Sequence, residues 1–412
     1  MTEITREALE DWDAVDPLAP QRQHYDLPEG VIYLDGNSLG PLPVQTKERL
    51  RKTIEEEWGQ GLIRSWNEAD WVNAPTRVGD KIAKLIGAGQ DEVIVSDSTS
   101  VNLFKLVSSL IPAQPSRRKV ITEKGNFPTD TYILKNLERL DGTLIIEEVE
   151  REEICDALDE QTLALVLTHV HYKTGAIFDM EGLTRKAQEN GALVLWDLCH
   201  SAGAMPLDLT ACNVDMAVGC GYKYLNGGPG APAFSFLAKR HQGTLRQPIG
   251  GWFGHQDPFA FAQTYEPAQT IKQQLVGTPV ILGLAALESG VDLLLPLDMS
   301  AVREKSLKLV RLFQDLVGVH CKGFDFNPLH DLPPEDCGSQ TAFHHPSGYQ
   351  IMRALIEKGV IGDFREPNIM RFGFGAPYLR YTDIWDAVQS LKTILVTEEW
   401  KHARFSTRLD VT

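Results

Sequence analysis

Between residues 46 and 240 short apolar runs alternate with helix-length amphipathic segments. The runs EVIVS (92–96), KVIT (119–122), TLIIEEV (143–149), LALVLTHV (163–170), ALVLWD (192–197), DMAVGCG (215–221) and APAFSFLA (231–238) carry apolar residues at consecutive positions. That is how strands read when both faces are covered. Segments such as MEGLTRKAQENG lie between them, so the pattern predicts an α/β fold around a largely parallel sheet. Beyond residue 278 the texture changes. PVILGLAALESGVDLLLPL and MSAVREKSLKLVRLFQDLVG read as helices, and a Pro-rich connector, FNPLHDLPPEDCG, follows. QTAFHH, SGYQIMRALIEKG, NIMRFGFG and YTDIWDAVQSLKTILVTEEW then predict a smaller α+β domain. The first 45 residues are rich in Pro and Gly turns, including YLDGNSLGPLP, and are expected over the domain junction or the active site. The expected division is a large domain over 46–278 and a small one from 1–45 with 279–412.

Composition narrows the partners. The chain has 412 residues, 43% hydrophobic and 23% charged, enough to bury a sizeable core. Acidic residues outnumber basic ones, 56 to 40, for a net charge of −16. Such a charge disfavours phosphate backbones and anionic membranes, leaving small molecules and copies of the chain itself. Six cysteines (155, 199, 212, 220, 321 and 337) include no C-x-x-C pair, which suits a reducing compartment. The acidic start and the lack of an apolar run near the ~18 residues of a membrane span complete the expectation of a cytoplasmic protein.

In an open parallel sheet ligands gather beyond the carboxyl ends of the strands, so the polar residues after each run are the candidates. Ser98, Thr99 and Ser100 follow EVIVS where a helix begins. Hydroxyls and free N–H groups there make an anion cradle, although a plain helix cap explains that segment alone. No G-x-x-x-x-G-K-[ST] or G-x-G-x-x-G follows a strand, which disfavours nucleotides. Asp197 ends the ALVLWD run, with His200 three residues on. A carboxylate desolvated there needs a cation or donors facing it. Lys223 sits between Tyr222 and Tyr224, ahead of NGGPG, a setting for an amine kept reactive toward a carbonyl. Phe127 in KGNFPTDTY offers a ring to stack on a flat heteroaromatic, with Asp130 close behind. His169 and His171 share a strand face but lack an evident third ligand, so no metal is expected. Cradle, carboxylate, amine and ring together describe a pyridoxal phosphate site. The phosphate takes the helix start, the aldehyde takes the lysine as an imine, and Asp197 keeps the ring nitrogen protonated.

These residues lie in a set of motifs: YLDGNSLGPLP, STSVNLF, NFPTD, WDLCHSAGA, GYKYLNGGPG, GGWFGH (250–255) and MRFGFGAPY (370–378). With them the chain resembles the fold-type I pyridoxal phosphate enzymes of the class V aminotransferase group, and within it the kynureninases. The resemblance spans nearly the whole chain. It implies a mixed, mostly parallel seven-stranded sheet between helices, with a smaller α+β domain. It also implies hydrolysis of L-kynurenine, or its 3-hydroxy form, to anthranilate (3-hydroxyanthranilate) and L-alanine, in tryptophan breakdown and NAD biosynthesis. By motif, Lys223 carries the cofactor and then moves a proton, Asp197 pairs with the ring nitrogen, Phe127 stacks on the ring, and Asp130 lies close by. Thr99, Ser100, Thr168 and His200 contact the cofactor. Tyr222 bonds its phosphate and serves as acid–base group at the substrate carbonyl, with a pKa brought towards working pH. Trp252 and Thr278 reach in from the second subunit of a homodimer with shared sites, and Arg371 takes the substrate carboxylate. Choice between the two substrates falls to pocket residues such as Trp66 and Thr278. The rival on the same scaffold is a cysteine desulfurase or aminotransferase. A desulfurase requires an exposed, low-pKa thiol, for which Cys321 and Cys337 are the candidates. A non-catalytic binding protein is disfavoured because the lysine and the aspartate are both present.

Overall fold

The computed structural model describes residues 4–409. Seven strands form its main sheet: β1 (Val93–Val95), β2 (Lys119–Glu123), β3 (Ile145–Val149), β4 (Thr162–Thr168), β5 (Leu193–Asp197), β6 (Met216–Gly219) and β7 (Phe234–Leu237). Each falls within or across one of the seven apolar runs. Their order is β1-β7-β6-β5-β4-β2-β3. Neighbours run parallel except at β7, which is antiparallel to both β1 and β6. The sheet is therefore mixed and mostly parallel.

Why the runs are continuously apolar follows from the two layers. Successive strand side chains point to opposite faces, and both faces are covered. Leu165, Leu167, Val194 and Trp196 join one core with helices α1 (Ala74–Ile86), α4 (Met180–Glu189) and α5 (Ile281–Leu294). The intervening Val166 and Leu195 join another with α2 (Thr99–Ala113) and α3 (Pro128–Asp141). All seven residues of β4 are buried. The helix just past residue 278 packs against the large sheet, through Leu284, Leu287, Val291 and Leu294.

The C-terminal part builds a four-stranded antiparallel sheet from β8 (Asn327–Pro328), β9 (Gln340–His344), β10 (Asp363–Arg365) and β11 (Ile369–Gly373), in the order β10-β11-β9-β8. It shares a core with α6 (Met299–His320), α7 (Gly348–Glu357) and α8 (Tyr381–Thr397), and Leu9, Tyr25 and Leu34 enter the same core. Ile32 and Tyr33 pair in parallel with Val360 and Ile361. The N-terminal segment thus belongs structurally to the far end of the chain.

From that anchorage the segment runs on to the turn that carries Lys223. The Gly40 N–H donates to the Tyr222 carbonyl at 2.8 Å. A Cβ at Gly40 would fall 2.2 Å from the Lys223 carbonyl oxygen and 2.5 Å from Asn226 Oδ1, so only glycine permits this approach. Gly40→Ala is expected to cost about 1–3 kcal/mol of stability through overpacking and to slow turnover by displacing the lysine turn. Urea unfolding and steady-state kinetics on the purified variant check both.

Candidate active site

The carbonyl ends of β2, β4 and β5, the start of α2 and the turn after β6 meet at one place. In register, the last residue of β4, Thr168, pairs with the last of β5, Asp197. A cavity of about 140 Å³ opens there, lined by Ser98, Thr99, Ser100, Phe127, Thr129, Asp130, Thr168, Tyr172, Asp197, Cys199, His200, Tyr222 and Lys223. Nine residues expected at a cofactor site are among them: Thr99, Ser100, Phe127, Asp130, Thr168, Asp197, His200, Tyr222 and Lys223.

The α2 start is built as expected. Ser98 is the cap, its side chain accepting from the Val101 N–H, and the first-turn N–H groups have no partner inside the helix. Phe127 stands immediately before α3, its ring 38% exposed and edge-on to Tyr172, centroids 5.1 Å apart. Asp130, in the first turn of α3, accepts from Thr168 Oγ1 at 3.2 Å and Asn126 Nδ2 at 3.4 Å. Thr168 also bonds Asn126 Oδ1 at 2.5 Å. The other Asp130 oxygen is buried without a partner among the described residues.

Lys223 is buried, with Nζ 2.7 Å from His200 Nε2 and 5.8 Å from the ring centroids of both Phe127 and Tyr222. Asp197 is buried too, and its Oδ1 accepts from the Cys199 N–H at 2.7 Å. Burial pushes the Asp197 carboxyl above its ordinary range, against the opposing pull of the Cys199 bonds and of the Lys223 charge. Burial, reinforced by the negative charge of Asp197, likewise raises Asp130. The His200 imidazole is driven well below its usual value by burial and by the Lys223 and Arg371 charges, so it is neutral at working pH.

Tyr222 departs from expectation. Burial, with Cys220, Cys199 and Asp197 beside it, pushes the phenol further above its ordinary value rather than towards neutrality. The hydroxyl therefore stays protonated and is a hydrogen-bond donor, not a ready base.

Three expected residues lie outside this cavity. Trp252 is 39% exposed, and Thr278 is exposed on a loop. Arg371 is buried in β11. Its guanidinium is gripped by Asp363 through Nε at 2.7 Å and through Nη2, and it also donates to the Tyr172 carbonyl at 2.6 Å and Ser38 Oγ at 3.1 Å. Since Tyr172 lines the cavity, the arginine reaches its edge by one residue. Four of the five guanidinium N–H groups are thereby accounted for.

His169 and His171 are buried, and desolvation lowers both to about 4. His171 bonds the Gly125 carbonyl at 3.1 Å and Thr174 at 3.1 Å, and the His169 ring lies edge-on to Trp196. Cys321 and Cys337 are buried, their thiols pushed up by desolvation to about 12 and about 11. Neither is the exposed, low-pKa thiol a desulfurase requires.

Sequence reasoning passed over Asn126, Tyr172, Cys199, Ser38, Asp363 and Gln340. Asn126, Cys199 and Ser38 lie inside motifs already singled out, and Tyr172 is in HVHYKTG; their polarity next to a candidate was the available signal. Gln340 and Asp363 carried none, because they arrive from the other sheet.

The chain matches two family models, Aminotransferase class-V over residues 32–321 and Kynureninase C-terminal domain over residues 302–391. A protein named kynureninase from Burkholderia mallei (strain SAVP1) is 48% identical over 99% of this chain and 100% of its own length. Another from Pseudomonas fluorescens is 48% identical over 97% of this chain and 98% of its own. Among solved structures, the apo cysteine desulfurase of Thermococcus onnurineus NA1 superposes with a TM-score of 0.78 over 92% of this chain and 98% of that one, at 17% identity, a likeness of fold. With relatives matched end to end, a class-V model covering most of the length and a kynureninase-specific model on the C-terminal part, the chain belongs to the kynureninase family.

Proposed function

We propose that this chain hydrolyses L-kynurenine, or its 3-hydroxy form, to anthranilate (or 3-hydroxyanthranilate) and L-alanine, using pyridoxal 5′-phosphate in the cavity around Lys223. One observation carries the reading: a buried amine, a buried carboxylate and the hydroxyls of a helix start converge on one cavity, in a chain 48% identical over almost its full length to named kynureninases. The residues present fit that cofactor. Asp197 is a buried carboxylate suited to a cationic ring nitrogen, Thr99 and Ser100 sit at a helix start suited to a phosphate, and Phe127 keeps an exposed ring.

Bound there, pyridoxal phosphate supplies an electron-withdrawing ring that stabilises negative charge developing on the substrate. The protein's part is positional and protonic. Asp197 would keep the ring nitrogen protonated, with Asp130 and Thr168 beside it. Thr99, Ser100 and the first N–H groups of α2 would take the phosphate. Lys223 would hold the cofactor through its aldehyde and, as a free amine, would move the proton at the substrate α-carbon. Tyr222, protonated, would donate to the phosphate or to the substrate carbonyl as water adds and the Cβ–Cγ bond breaks. Arg371 would offer its remaining N–H, and that now given to Ser38, to the α-carboxylate.

The assembly we propose is a homodimer in which Trp252 and Thr278 complete the partner's site. Their exposure, away from their own chain's cavity, supports it. We place the protein in the cytoplasm, in tryptophan breakdown feeding NAD biosynthesis; six free thiols support the compartment, and no helix among the described residues is long and apolar enough to cross a membrane. Two domains, expected as 46–278 and 1–45 with 279–412, are likewise our reading, supported by the core that Leu9 and Leu34 share with Phe372, except that the helix Ile281–Leu294 goes with the large one, because its Leu284, Leu287, Val291 and Leu294 lie in the core under the large sheet.

Mixing purified protein with kynurenine and following anthranilate fluorescence tests the reaction; no fluorescence with cofactor in excess refutes it. Lys223→Ala is expected to slow release by about 10²–10⁴-fold and to abolish fixation of the cofactor by borohydride, read by mass spectrometry. A second expectation concerns stability. Asp130 titrates above the ordinary ~3.9 in the folded state, so the folded chain keeps a proton the unfolded chain has released. Stability contributed by that proton is lost as pH rises through the raised pKa. Asp130→Asn removes this loss, so the cofactor-free variant should gain on the wild type in urea unfolding as pH rises, while binding cofactor more weakly. Parallel curves at all pH values would contradict this.

A further inference from the structure

The second sheet delivers one side chain to the amine itself. Gln340, the first residue of β9, is buried, and pairs across the sheet with Gly373 of the strand that bears Arg371. Its Nε2 lies 3.3 Å from the His171 carbonyl and 3.0 Å from the Tyr172 carbonyl, and its Oε1 lies 3.0 Å from His200 Nδ1. Carbonyl oxygens only accept, so the amide nitrogen must face them, and that turns the amide oxygen towards His200. An amide oxygen also only accepts, so His200 Nδ1 must carry hydrogen. A neutral imidazole has one N–H, which leaves a lone pair on Nε2, 2.7 Å from Lys223 Nζ.

We infer that Gln340 is a positioning residue that fixes His200 as the Nδ1-protonated tautomer, so that its Nε2 lone pair accepts a hydrogen bond from the Lys223 amine whenever that amine is free. The inference rests on Lys223 being the reacting amine, as proposed above. Burial and the charges of Lys223, Arg371 and Arg365 keep the ring neutral, although Asp197 lines the same cavity and Asp363 pairs with Arg371. Were Nε2 protonated instead, an N–H would oppose an ammonium. The fixed lone pair draws one N–H of Lys223 in a set direction and so orients the remaining hydrogens or lone pair toward the cavity. Because Gln340 lies on the strand beside that of Arg371, the small sheet is hydrogen-bonded through this side chain to the amine of the large one.

The test is a long-range 1H–15N correlation spectrum of histidine-labelled, cofactor-free protein, with His200 assigned by His200→Gln. The expected spectrum has pyrrole-type Nδ1 and pyridine-type Nε2 for His200; the reverse assignment overturns the inference. Gln340→Met should mix the tautomers and lower kcat by on the order of tenfold or more with KM little changed. Gln340→Glu keeps an acceptor for Nδ1–H but places a negative charge on His200 and raises its pKa. Its kcat should therefore fall further as pH is lowered and recover as pH rises, a limb the wild type lacks. Wild-type tautomer and kcat in Gln340→Met would also overturn the inference. If that variant does not fold, the wild-type spectrum decides alone. Because that spectrum needs neither substrate nor cofactor, its outcome is independent of whether kynurenine is cleaved.

Discussion

A carboxylate buried at the end of a central parallel strand is the constraint around which the molecule is arranged. Taking an ionised carboxyl out of water is costly unless donors and a cation face it, and Asp197 has one backbone donor and the nearby Lys223 amine. The cost is compounded by Asp130, a second buried acid coupled to the first by charge, with one oxygen lacking a partner among the described residues. Such an arrangement leaves the cofactor-free chain with unfavourable electrostatics that a bound cationic ring would relieve. Stability and cofactor affinity are thereby set against each other at the same atoms.

The parallel topology makes this concentration of polar groups possible. Strands that run the same way end at the same edge, so Thr168 and Asp197 lie side by side, and helices α2 and α3 begin where the strands stop. The amine comes from a turn rather than a strand, and a turn is pinned less firmly. Gly40, from a segment anchored in the other core, bonds and closely abuts it. His200 meets the amine nitrogen itself and is in turn bonded by Gln340 of the second sheet. The Lys223 turn is thus tied to both parts of the chain, although the strand before it belongs to the large sheet.

The likeness to cysteine desulfurases is one of fold, at 17% identity, whereas the identity to kynureninases is 48% over nearly the whole chain, and one scaffold hosts different chemistries. The side chains discriminate. The two thiols that a desulfurase reading would use lie in the core with raised pKa values, while Lys223, Asp197 and Asp130 line the cavity together.

Much of this was legible in the residues in order. Seven continuous apolar runs foretold seven doubly covered strands, because burial on both faces leaves no polar alternation, and Asp197, Lys223, Phe127 and the helix-start hydroxyls showed themselves as polar exceptions or lone rings at run ends. Local pattern is sufficient there because strand ends and helix starts are local events. It did not disclose the Tyr222 environment, the grip of Asp363 on Arg371, or the reach of Gln340 to His200, each of which depends on residues brought together by the fold. Protonation states and tautomers are set by neighbours in space and by the water they exclude, so only the folded arrangement of the chain could decide them.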